Sequence, residues 1–94
     1  MLEDIRRYLQ ITYEDEDTDQ VLRGLIERGK QIIDDYAGTP QDYDSEGMPR
    51  QLLFDYVRYG RSHALEMFEI NFRHDLIALR ELAEEKMNEN QDTD

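Results

Sequence analysis

Apolar side chains recur along this chain at the spacing of α-helices, and no stretch alternates with the period of a strand. Leu2, Ile5 and Leu9 define a short amphipathic helix over residues 2–10. The segment ITYEDEDTD then supplies helix-start chemistry. Thr12, with Asp15 three residues on, has the form of a capping-box variant, and the carboxylates that follow suit the positive end of a helix dipole. Val21, Leu22, Leu25, Ile26, Gly29, Ile32, Ile33 and Tyr36 predict a second helix from Asp15 or Asp17 to Ala37. At about 100° per residue these positions fill an arc of roughly 140°, an ordinary amphipathic face. Gly38 suits the left-handed position after a helix, and Pro40 blocks continuation.

Pro49 fits the first turn of a third helix, expected to reach about Asn71. On it Leu53, Tyr56, Val57, Gly60, Ala64 and Met67 form one face, and Phe54, Leu65 and Phe72 form a second stripe about 100° away. Leu52, Tyr59 and Ile70 flank the other side, so the apolar arc widens to roughly 240°. A helix so apolar is either covered on most sides or carries an exposed patch for another protein. A fourth helix over residues 74–88, with Leu76, Leu79, Ala83 and Met87 on a narrow face, would cover part of it. No Gly or Pro separates the third and fourth helices; they form one rod, or Asn71 ends the first and Asp75 caps the second. The expectation is an all-α fold: a small bundle of three to four helices, with a short N-terminal helix and two long antiparallel ones. Residues 1–88 make a single domain and residues 89–94 a disordered acidic tail.

Charge adds a second pattern. The chain of 94 residues has a net charge of −12, and this charge is segregated. Residues 14–20 carry −5, residues 39–48 carry −3 and residues 73–94 carry −4, whereas 1–13, 21–38 and 49–72 each sum to zero. The helical bodies are balanced and the acid lies in connecting segments and the tail. Such a distribution argues against binding nucleic acid, which needs a basic footprint. It suits a solvated surface, or one that DNA passes without sticking. No apolar run is long enough to cross a membrane. MLEDIRRYLQ also lacks the basic-then-apolar order of a secretory signal.

Candidate chemistry is sparse. Asp15, Asp17 and Asp19 alternate as in a calcium loop, but that loop asks for Gly and Glu where Gln20 and Ile26 stand. There is no cysteine, and the two histidines give zinc little to hold. Ser62 and His63 are adjacent, hence about 100° apart on a helix, and no phosphate-cradling Gly loop is present. No catalytic, metal or cofactor residue is therefore assigned. Arg58 and Arg61, one turn apart, border the second stripe; they either pair with Asp55 and Glu66 on the same helix or meet acids of an adjacent subunit. Gly60 between them costs about 1 kcal/mol relative to alanine in a helix, a cost that close approach of another helix would offset.

Two blocks, LQITYEDEDTDQVLRGLIERGKQIIDDYAG and LLFDYVRYGRSHALEMFEINFRHDLIAL, in this order and spacing resemble the head–tail connector proteins of tailed bacteriophages, also called adaptor or head-completion proteins. The resemblance implies a small helical virion protein, assembled in the host cytoplasm, that forms a dodecameric ring at the head–tail interface. The ring would dock on the portal protein after DNA packaging and receive a stopper or tail-completion protein, while DNA passes through its channel without specific binding. Phe54, Arg58, Arg61, Leu65 and Phe72 are then the expected contacts between subunits or with partners. Leu76, Leu79 and Leu82, in the C-terminal segment, are the expected portal-docking residues. The alternative is an acidic helical regulator that masks a basic partner or mimics DNA.

Overall fold

The computed structural model describes residues 1–92, with side chains described through Glu89. Four helices follow one another: α1 (Leu2–Tyr8), α2 (Glu16–Ala37), α3 (Met48–Arg61) and α4 (Leu65–Asp92). No strand occurs among the described residues, and the all-α expectation holds.

Local chemistry sets these limits. Asp15 caps α2, its carboxylate accepting from the Asp17 N–H at 3.3 Å and the Thr18 hydroxyl at 2.8 Å. The cap is therefore Asp15 alone, and Thr12 lies outside the helix. Gly38 ends α2 at φ 81°, its N–H reaching Asp34 O, as its position predicted. Pro49 stands in the first turn of α3.

The end of α3 departs from expectation. The helix stops at Arg61, about ten residues early, and α4 begins at Leu65. His63 takes a left-handed φ of 56°; its N–H donates to Gly60 O at 3.2 Å, and the Ala64 N–H donates to Tyr59 O at 2.9 Å. These two bonds make a Schellman motif, the usual way a helix satisfies its last carbonyls. The same motif closes α1, where Gln10 sits at φ 59° and the Ile11 N–H donates to Arg6 O at 2.9 Å. In neither is the left-handed residue glycine, so the corner between α3 and α4 carries no glycine signal. The helix α4 runs on to Asp92, into the segment expected to be disordered; Thr93 and Asp94 lie outside the described residues.

Two glycines let α2 and α3 approach closely. A methyl group on Gly29 would lie 2.7 Å from Tyr56 Cδ1, and one on Gly60 would lie 2.4 Å from Leu25 Cδ2. Leu25 opposite Gly60, with Gly29 opposite Leu53 and Tyr56, makes α2 and α3 antiparallel. After its tight corner α4 returns along α3. Phe68 meets Tyr56 and Tyr59 near the corner, and Ala83 reaches the level of Met48 at the far end. The core lies between the three long elements: Leu22, Leu25, Ile26 and Ile33 from α2, Leu52, Leu53 and Val57 from α3, and Phe68, Leu76 and Leu79 from α4. From α1 only Ile5 is fully buried.

Candidate interaction surface

The corner at residues 62–64 redistributes the residues expected to form one contact stripe. Phe54 is only 8% exposed. It packs under the Tyr8 ring at 5.5 Å between centroids, with the Arg50 guanidinium 4.6 Å above it. Leu65 and Phe72 stand on α4 and are half-buried, Phe72 stacking on Phe68 at 5.1 Å and meeting Tyr59 edge-on at 5.5 Å. Phe54, Leu65 and Phe72 therefore share no stripe; the apolar arc of the third helix was a projection carried through a turn. Arg58 pairs with Asp55 at 3.4 Å within its own helix and lies 5.0 Å from the Tyr59 ring. Arg61 donates to the Tyr13 hydroxyl at 3.0 Å. The two arginines do come together, lining one shallow depression with Tyr8 and Gln10. Leu76 and Leu79 belong to the core, whereas Leu82 is 47% exposed.

Uncovered apolar surface lies elsewhere, on the outer side of α4. Phe68, Leu76, Leu79 and Ala83 face the core, while Met67, Ile70 and Ile77 are 42%, 66% and 51% exposed. With exposed His74 they fall at residues 67, 70, 74 and 77, the spacing of a single helical face, roughly opposite the buried one. Arg73, Arg80 and Glu69 border this face, and a shallow cleft runs from it to Tyr36 of α2. Burial and the adjacent Glu69 carboxylate push the Tyr36 phenol above its ordinary value. Projected from Leu65 onward the sequence separates these two faces; projected from Pro49 it put Met67 on the core side.

The buried polar groups are occupied in holding the fold. Arg6 donates to both carboxylate oxygens of Asp19, with Nε to Oδ1 at 3.0 Å, tying α1 to α2 and holding Asp19 below its ordinary carboxylate value. Arg50 donates to Asp4 at 3.1 Å and to Tyr43 O at 2.9 Å, and lowers Asp4 likewise. The Tyr8 hydroxyl donates to buried Asp55, which also accepts from Gln51 at 3.2 Å. Tyr43 donates to Asp34 at 2.6 Å, and Asp34 accepts the Gln41 N–H at 2.9 Å, which pins the loop between α2 and α3. No buried side-chain polar atom lacks a partner among the described residues. No group of three or more potential metal ligands gathers among them either. None of their helices is long and apolar enough to cross a membrane.

Models of known protein families, curated proteins and solved structures give no match to this chain.

Proposed function

We propose that this chain is a structural assembly protein of the head–tail connector kind, forming a ring between the portal of a tailed bacteriophage and its stopper or tail-completion protein. The observation that carries the reading is the outer face of α4. Met67, Ile70 and Ile77, with His74 among them, form an exposed and largely apolar stripe directed away from the core. In a ring each subunit presents two different patches, one to each neighbour. The stripe supplies one patch. Arg58 and Arg61, drawn together beside α1, are suited to orient a neighbour's carboxylates.

The charge pattern supports the same reading. The acidic segments 14–20 and 39–48 lie at the two ends of the 22-residue α2, which is roughly 33 Å long at 1.5 Å per residue. Between them the bundle is charge-balanced. Neighbours packed side by side would join balanced belts and leave the acidic ends toward solvent or passing DNA.

Affinity capture of the tagged chain from cells producing the phage, with partners identified by mass spectrometry, tests the proposal. Recovery of a portal and a tail-completion protein is the expected result. Recovery of a single basic protein without virion components, released by raised salt, would favour the masking alternative.

A further inference from the structure

At the end of the molecule away from the α3–α4 corner, the loop between α2 and α3 and the C-terminal half of α4 enclose an open groove of about 650 Å³. Its apolar lining comes from both sides: Pro40, Met48 and Pro49 from the loop and the start of α3, Leu82 and Met87 from α4, with Leu79 beneath. Leu82 and Met87 are large apolar side chains left about half exposed here. They flank Leu79 and Ala83 on the core-facing side of α4, whereas Met67, Ile70 and Ile77 stand on its outer side.

Two further features narrow the occupant. The loop wall is fixed in advance by the Tyr43–Asp34, Gln41–Asp34 and Arg50–Tyr43 hydrogen bonds, so little ordering remains to be done on binding. The rim is acidic: Asp42 and Glu46 border the groove opposite a single cation, Lys86, and residues 39–48 and 79–89 together carry a net charge of −5. Another copy of this chain would bring acidic ends that repel this rim, and its paired Arg58 and Arg61 belong to the ring contact proposed above. Methionines at two corners suit a surface that adapts to apolar anchors.

We infer that this groove docks an amphipathic helical segment of a partner protein, with apolar anchors in the groove and flanking Lys or Arg against its acidic rim. This surface is independent of ring formation and would serve a monomer equally.

The test uses the full chain and a synthetic amphipathic helical peptide with leucine on one face and lysine on the other. A second peptide replaces every lysine by glutamate. Binding is followed by calorimetry and by NMR of the methionine, leucine and isoleucine methyl groups. The lysine peptide is expected to bind and to shift Met48, Leu82 and Met87, and the glutamate peptide to bind at least about tenfold more weakly. The double variant Leu82→Ser with Met87→Ser, at exposed positions that leave the fold intact by circular dichroism, is expected to weaken the lysine peptide at least about tenfold. Unchanged affinity in that variant would mean attraction by charge alone and would overturn the inference. Equal binding of both peptides, failure of the lysine peptide to bind, or shifts confined to Met67, Ile70 and Ile77 would overturn it too.

Discussion

Leu25 and Gly60 occupy one contact between α2 and α3, so close that a methyl group on residue 60 would stand 2.4 Å from Leu25 Cδ2 and 3.3 Å from its Cγ. The glycine that looked costly in a helix is the point where the two helices touch. Gly60→Ala should therefore destabilise the bundle. Leu25 is buried, so its methyl groups have little room to swing aside, and overpacking of about 1–3 kcal/mol is set against a gain in helix propensity of about 1 kcal/mol. Gly24 in α2 has nothing within 4 Å of an added methyl group, so Gly24→Ala should stabilise by about 0.5–1 kcal/mol. Urea unfolding followed by circular dichroism would show opposite shifts for the two variants.

The α3–α4 corner makes a separate prediction. A non-glycine residue in the left-handed region costs about 1–2 kcal/mol, while glycine adds about 0.5–1 kcal/mol of unfolded-state entropy. His63→Gly should accordingly raise stability by roughly 0.5–1 kcal/mol, and His63→Val should lower it. A loss of stability in the glycine variant would mean that residue 63 is not left-handed.

Phe54 distinguishes a core residue from a contact residue. With 8% exposure and the Tyr8 ring and Arg50 over it, Phe54→Ala should cost about 3–5 kcal/mol of folding stability. A stability change under about 0.5 kcal/mol, the range of ordinary surface substitutions, would return Phe54 to the surface.

Ionisation of the clasp on α1 should shape acid unfolding. Arg6 lowers the Asp19 carboxyl, and Arg50 lowers that of Asp4, both from 3.8. Each contributes stability that is present above 3.8 and is lost as pH falls through the lower folded-state value. Asp19→Asn should be less stable than wild type near neutral pH and should lose less on acidification. The phenols behave oppositely. Burial, then hydrogen bonding to Asp34, raises Tyr43, and burial with Asp55 raises Tyr8. Their contribution is complete below 10.0 and declines as pH rises above it. Urea midpoints across pH for wild type, Asp19→Asn and Tyr43→Phe check both signs.

How far the sequence could be read follows from where its signals lie. The course of α2 was legible because each of its signals is local: the Asp15 cap bonds Asp17 N–H and the Thr18 hydroxyl, the apolar period repeats every turn, and Gly38 bonds back to Asp34. The close helix contact at Gly29 was legible for the same reason, the glycine standing on the apolar face. The corner after Arg61 was not. Its left-handed residue is histidine, and the nearby glycine, Gly60, serves the α2 contact instead. That single unseen turn rotated everything after it. It merged Phe54 with Leu65 and Phe72 on paper, and it hid Ile70 and Ile77 as the exposed face. The Arg6–Asp19 and Asp4–Arg50 pairs had no local signal at all, being set by the tertiary path of α1.

Particle composition tests the proposed ring contact most directly. Phage particles would be purified from cells supplying either the wild-type chain or Ile70→Asp, with the variant's fold checked by circular dichroism. The expected result is wild-type chain present with the portal in particles, and a folded Ile70→Asp chain absent from them. Full incorporation of Ile70→Asp, or wild-type chain missing from particles, would contradict a ring built on the outer face of α4.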